Sequence, residues 1–217
     1  TATIEHTNIK YKALGQSTIS IECGSASANT QLTISENTSE WSAEWDGSTN
    51  SIGDLFTLQS MKFVENTFSS GGTYMLVPTT TSGEVKVKNS SSGATKFEVD
   101  VIFKGTTTAS GWPWGMDITS GDKYGASIYI PGGTSTSLCF ARGDNPTTQT
   151  FSTNTLYTLG LELSGSGSSA TYTATMNGTT IVSDGAVTNR DLLTECKTWT
   201  INENFVILGI RYKKSTT

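Results

Sequence analysis

The sequence predicts an all-β protein, a two-sheet antiparallel sandwich with a short β-rich lead segment. Three observations carry that prediction. Many short runs alternate apolar and polar residues, the two-residue period of a half-buried strand. Clusters of Gly, Ser, Thr, Asn and Pro separate the runs, and these are the residues that turn geometry favours. Between Ala170 and Gly185, two β-prone runs flank Asn177-Gly178, the dipeptide best suited to the positive φ angles of a type I′ hairpin. Short strands joined by glycine turns favour a sandwich over a parallel sheet with helical crossovers.

Taken in order, residues 1–50 read as lead and linker, and residues 51–217 as the sandwich. In the lead, Ile4 to Lys12 has strand character, Ile19, Ile21 and Cys23 alternate, and so do Leu32 and Ile34. Glu36 to Asn50 is polar and turn-rich, with Trp41 and Trp45 read as a plug between lead and sandwich. Strands are expected at Leu55 to Val64, Thr73 to Val77, Glu84 to Asn89, Lys96 to Lys104, Gly115 to Ile118 and Tyr124 to Ile130. They continue at Ser137 to Ala141, Thr155 to Leu163, Ala170 to Met176, Thr179 to Ser183 and Asn204 to Lys213. Only Asn189 to Cys196 reads as helix: Asn189 is placed to cap it, and Leu192, Leu193 and Cys196 fall at helical spacing. Trp199 alternates within Lys197 to Ile201 and is expected in the core.

Composition narrows the function classes. Charged residues are 15% of the chain, below the typical quarter, and Thr and Ser abound. That balance suits an extracellular or cell-surface β-protein, or one on a virion. The net charge is −5 with no basic run. Nucleic acid is therefore not an expected partner, because phosphate binding needs clustered Lys or Arg. No apolar stretch has the length of a membrane span. The start, Thr1 to His6, has no signal-peptide pattern, which fits a removed leader, a piece of a larger protein, or another route of export. Cys23, Cys139 and Cys196 have no framework spacing and are expected as free buried thiols. With His6 the only histidine, zinc, haem and a Ser-His-Asp triad are poorly supplied.

The run from Tyr157 to Leu163, followed by the hairpin through Asn177-Gly178, resembles the late strands of concanavalin A-like (laminin-G-like) jelly rolls. The resemblance covers roughly residues 50–213 and implies a jelly-roll sandwich that either binds or cleaves glycans. Family 16 glycoside hydrolases of this fold carry Glu-x-Asp-x-x-Glu on their concave face. Here Glu98 and Asp100 match the nucleophile and its assisting Asp, but Phe103 stands at the acid/base position. Retaining hydrolysis needs two carboxyl groups about 5 Å apart, so the resemblance implies binding rather than catalysis.

Strand alternation puts Phe97, Val99, Val101 and Phe103 on one face, and Glu98, Asp100, Ile102 and Lys104 on the other. The open Glu98 and Asp100 face is one candidate glycan surface. The second is Ser110 to Asp117, where Trp112 and Trp114 bracket Pro113 between Gly111 and Gly115. Indole rings stack on the C–H faces of sugars at low entropic cost, and Asp117 offers an acceptor for hydroxyls. One of the two tryptophans is expected buried and the other exposed. No cofactor is expected. Calcium stays open, because the resemblance implies rim carboxylates and Asp117, Asp122, Asp144, Asn145 and Asp184 lie in or beside loops, without EF-hand spacing. Arg142-Gly-Asp144 is read as a turn.

The expected function is non-catalytic glycan binding by a module of a larger surface protein, its partner a polysaccharide or cell-surface glycan. The alternative is a phage fibre, tail or capsid-decoration protein, for which homo-oligomers are expected. A glycoside hydrolase or lyase is the minor reading.

Overall fold

The computed structural model describes residues 15–23, 26–34, 41–88, 94–105, 111–120, 123–132, 136–140, 146–193, 195–201 and 204–214. The chain divides into two units, Thr1–Glu40 and Trp41–Thr217. In the first, β1 (Gly15–Cys23) and β2 (Ala26–Ile34) form an antiparallel hairpin with Gly15 opposite Ile34 and Cys23 opposite Ala26.

The second unit starts with β3 (Ala43–Trp45), β4 (Phe56–Gln59), β5 (Met61–Glu65), β6 (Tyr74–Pro78) and β7 (Gly83–Val87). It continues with β8 (Ala94–Phe103), β9 (Trp114–Ser120), β10 (Lys123–Tyr129), β11 (Ser137–Phe140), β12 (Thr147–Thr150) and β13 (Leu156–Ser164). The last strands are β14 (Thr171–Met176), β15 (Thr179–Ala186), β16 (Glu195–Thr200) and β17 (Phe205–Lys214). One sheet has seven strands in the order β12-β11-β10-β9-β16-β7-β4. The other has eight, β15-β14-β13-β8-β17-β6-β5 with β3 added beside β17. Their ladders are antiparallel throughout. The unit is a two-sheet antiparallel β-sandwich.

The alternation expected along β8 holds. Phe97, Val99, Val101 and Phe103 are fully buried, and they join Trp114, Met116, Ile118 and Ile128 of the facing sheet in one core. Phe103 is its aromatic hub, with the rings of Phe151, Trp114, Phe205 and Tyr157 at centroid distances of 4.3 to 5.9 Å. The Asn177-Gly178 turn joins β14 to β15, with φ of 51° and 76°, as a right-twisted hairpin requires. The Asn177 side chain also accepts from the Thr158 N–H at 2.9 Å, tying the tip to β13.

The structure departs from the sequence reading in several of its elements. The run Leu55 to Val64 is two strands in different sheets, because Ser60, at φ 53°, turns the chain between them. Asn189 does cap a turn, accepting from the Asp191 N–H, but that turn is a single 3-10 segment, Arg190–Leu192. Cys196 then lies in β16, because Cys196, Thr198 and Thr200 alternate inward. Trp45, read as a plug, is a core residue of the sandwich, its strand paired with β17. And β12, Thr-Thr-Gln-Thr, is exposed along its whole length, so it carries no apolar pattern to betray a strand. Cys139 and Cys196 are buried thiols in no disulfide, and burial pushes the pKa of both up. The Cys23 side chain, His6, Asp122, Arg142, Asp144 and Asn145 lie outside the described residues.

Candidate functional site

The two surfaces singled out from the sequence differ in what their side chains are free to do. On the outer face of the eight-stranded sheet, Arg211 of β17 makes a bidentate pair with Asp100, both contacts at 2.9 Å. Its Nε reaches Glu98 at 3.4 Å. Lys96 meets the other Glu98 oxygen at 2.9 Å, and the Thr158 hydroxyl donates to Asp100 at 2.6 Å. Trp41 lies over both cations, 4.8 Å from Lys96 and 5.8 Å from Arg211. Glycines make room for this packing. A Cβ on Gly209 would stand 2.5 Å from Asp100 Oδ2, and one on Gly160 would stand 2.6 Å from the Thr175 hydroxyl and 3.2 Å from Glu98. Burial works against the Arg211 charge, but Asp100, then Glu98 and Glu44, outweigh it and raise the guanidinium pKa. Both carboxylates are thus engaged in a structural network beneath an indole.

The outer face of the seven-stranded sheet is built differently. Inward residues fix it: Trp114, Met116 and Ile118 of β9 are buried, so Gly115, Asp117 and Thr119 lie on the opposite side. Register then lines up one outer row across all seven strands: Gln59, Glu84, Trp199, Gly115, Tyr129, Cys139 and Thr148. A second row holds Thr57, Lys86, Lys197, Asp117 and Ser127.

Gly115 is the key to the first row. A Cβ there would sit 2.4 Å from the Trp199 ring, so the missing side chain lets that indole lie across β9. The Trp199 indole N–H points to the Trp112 carbonyl at 3.4 Å. The ring of Trp112 meets that of Tyr129, centroids 5.5 Å apart. The chain just after Trp112 is pinned from two neighbours: the Ile201 N–H donates to the Pro113 carbonyl at 2.9 Å, and the Ile130 N–H to the Trp114 carbonyl at 3.0 Å. Trp112 is 43% exposed, Trp199 is half-buried and Tyr129 is nearly covered, so the three rings form a stepped aromatic ledge.

Beyond Trp199, away from Trp112, a cleft of about 240 Å³ opens among Gln59, Ser60, Ser82, Glu84, Trp199 and Ile201. Next to it is a lattice of charges. Lys86 and Lys197 face each other directly in register, an unfavourable pairing by itself. Glu195 resolves it by bonding Lys86 and lying 3.8 Å from Lys197, and Glu84 is also 3.8 Å from Lys197. The hydrogen bond from Lys86 holds the Glu195 pKa below the usual carboxylate range, helped by both lysine charges and opposed by desolvation.

Of the residues singled out from the sequence, the structure brings Trp112 and Asp117 to this face and leaves Glu98 and Asp100 on the other sheet. Trp114 is corrected as a ligand contact: it is fully buried against Phe103. Asp117 has the right parity but is only 1% exposed, so it is corrected as a ligand contact. Trp199, expected in the core, is corrected: it is half-buried on the outer face of β16, opposite in parity to the buried Cys196, Thr198 and Thr200. Tyr129, Glu84 and Gln59 were not anticipated. For Trp199 the signal was present: it shares strand parity with Glu195 and Lys197, which cannot point into a core. Among the described residues no group of His, Cys, Asp and Glu could hold a metal ion, and no helix is long and apolar enough to cross a membrane.

No protein-family model and no curated protein sequence matches the chain. Solved structures do. A carbohydrate esterase of the Shiga toxin-encoding bacteriophage phi24B is similar at TM-score 0.52 and 12% identity, over 80% of this chain and 98% of that one. Domain 4 of AbnA, a GH43 extracellular arabinanase from Geobacillus stearothermophilus in complex with arabinotriose, matches at TM-score 0.51 and 11% identity, over 82% and 94%. The carbohydrate recognition domain of Emp46p matches at 0.50 and 14%, over 75% and 89%. At such identities the likeness is one of fold alone, a jelly-roll β-sandwich.

Proposed function

We propose that this protein binds glycans without cleaving them, through the outer face of its seven-stranded sheet. One observation carries the reading: the Trp112–Tyr129–Trp199 ledge borders a cleft lined by a carboxylate, an amide and hydroxyls. Aromatic faces stack on sugar C–H surfaces, while a few fixed polar groups read the hydroxyls. A ledge held by strand register and by the pinned chain after Trp112 is already organised, so binding sacrifices little entropy. The fold neighbours lend support from outside the chain: Emp46p contributes a carbohydrate recognition domain and AbnA a domain in complex with arabinotriose.

The non-catalytic part of the proposal rests on Glu98 and Asp100 being held by Arg211, with Phe103 in the core where an acid/base carboxylate would stand. We place the module outside the cell, within a larger surface protein. Likeness to a bacteriophage esterase keeps a virion attachment role as the second reading. The test is a glycan array followed by calorimetry on the hits, then reducing-end release from each bound glycan. Saturable binding without release is the expected result. Turnover lost in Glu98→Gln would overturn it.

A further inference from the structure

Resting on the glycan-binding reading, we propose that the cleft holds one sugar ring by an adjacent pair of free hydroxyls, and that Glu84 is the residue that selects for the pair. Register places Glu84 at the middle of the cleft: Gln59 stands directly opposite it on β4 and Trp199 directly opposite on β16. All three line the cleft. Neighbours in this row are one strand spacing apart, about 4.8 Å. A ring lying against the Trp199 indole therefore brings its hydroxyl edge to Glu84 and Gln59.

The bonding state of Glu84 sets it apart from Glu98, Asp100 and Glu195. Glu98 and Asp100 accept from Arg211, and Glu195 accepts from Lys86. Glu84 has only Lys197, 3.8 Å from its Oε2, which is longer than a hydrogen bond. Among the described residues no side chain donates to it. An ion-paired carboxylate is an acceptor only, with two oxygens. Two adjacent hydroxyls on one ring can donate to both oxygens at once, as the Arg211 guanidinium does to Asp100 on the other sheet. The Gln59 amide both donates and accepts, so it takes a hydroxyl or an ether oxygen alike and leaves the selection to Glu84. The cleft is also small: about 240 Å³ is below the roughly 300–1,000 Å³ of sites for drug-sized ligands, and it seats one ring. The ligand class that follows is a glycan whose units keep two neighbouring hydroxyls free. A unit methylated, acylated or branched at one of the pair loses one of the two bonds.

The experiment uses the intact chain and the methyl glycosides of linear hexasaccharides of glucose, mannose, xylose and arabinose, linked so that every unit keeps its second and third hydroxyls. A matched set is methylated on the third hydroxyl of every unit. Affinities are measured by calorimetry for the wild type, Glu84→Gln, and Glu65→Gln, which removes the same charge from an exposed position of β5 on the other sheet. The wild type should bind an unmodified probe and lose affinity on the order of tenfold when that probe is methylated. Glu84→Gln should keep its melting temperature within a few degrees and lose on the order of tenfold for the unmodified probe. Its further loss on methylation should be smaller than the wild type's, because the bond at stake is already weakened. Glu65→Gln should match the wild type on both sets. No methylation penalty in the wild type, an equal penalty in Glu84→Gln, or wild-type affinity in Glu84→Gln overturns the role of Glu84 and leaves glycan binding standing. Failure of every probe in both sets overturns both.

Discussion

At the scale of single residues, the five tryptophans do different work, and truncation separates them. Trp114 fills the core beside Phe103, so Trp114→Ala should cost about 3–5 kcal/mol of stability, read by denaturant unfolding. Trp112 is exposed, and Trp112→Ala should leave the melting temperature within a few degrees while weakening glycan affinity. Arg211 neutralises two mostly buried carboxylates. Arg211→Met strands Asp100 and leaves Glu98 to Lys96 alone, and should cost about 3 kcal/mol without changing glycan affinity. Glu195 sets an acid limit. Its folded pKa is lower than the ordinary 4.5, so its stabilising contribution is present above that value and is lost as pH falls through the folded pKa. A melting-temperature profile should therefore drop below about pH 4.5, and Glu195→Gln should flatten that limb.

At the scale of elements, the β14–β15 hairpin tests how much turn chemistry contributes. Gly178 has φ +76° with open space around it, so an added methyl meets backbone strain and no clash. Gly178→Ala should destabilise by about 1 kcal/mol, seen as faster amide exchange confined to β14 and β15. This hairpin was legible in the sequence because Asn-Gly specifies its own geometry. So was β8, where four inward apolar residues alternate with Glu98, Asp100 and Ile102, the last buried in a second apolar cluster with Met75, Val206 and Leu208. Elements held by neighbours rather than by their own pattern were not legible. β12 has no apolar residue to bury, and β3 follows from pairing with β17. The false helix at Asn189 arose because a cap and a few apolar residues fit two periods equally well. The β4–β5 corner depends on one residue, Ser60, in a backbone state its side chain does not announce.

At the scale of the whole molecule, the two outer faces have divided roles. One binds its charges into a network under Trp41, and the other leaves an aromatic ledge and a cleft accessible. Half of the candidate site was readable from local sequence: the Gly111–Gly115 loop concentrates aromatics between conformational punctuation marks. The rest exists only through register, since Gln59, Glu84, Trp199 and Tyr129 come from four strands spread along the chain and meet in one row. A surface module should sediment as a monomer, and a trimer would favour the virion reading.

The tryptophans report on this division directly, because Trp112 and Trp199 belong to the ledge, Trp41 to the opposite face, and Trp45 and Trp114 to the core. The decisive measurement is a nuclear magnetic resonance titration of their indole N–H signals with the glycan that binds best on the array. The account predicts that the Trp112 and Trp199 signals move with a common saturation curve while those of Trp41, Trp45 and Trp114 stay in place. Movement of Trp41 with Trp112 and Trp199 unchanged would contradict it and assign the glycan to the Glu98 and Asp100 face.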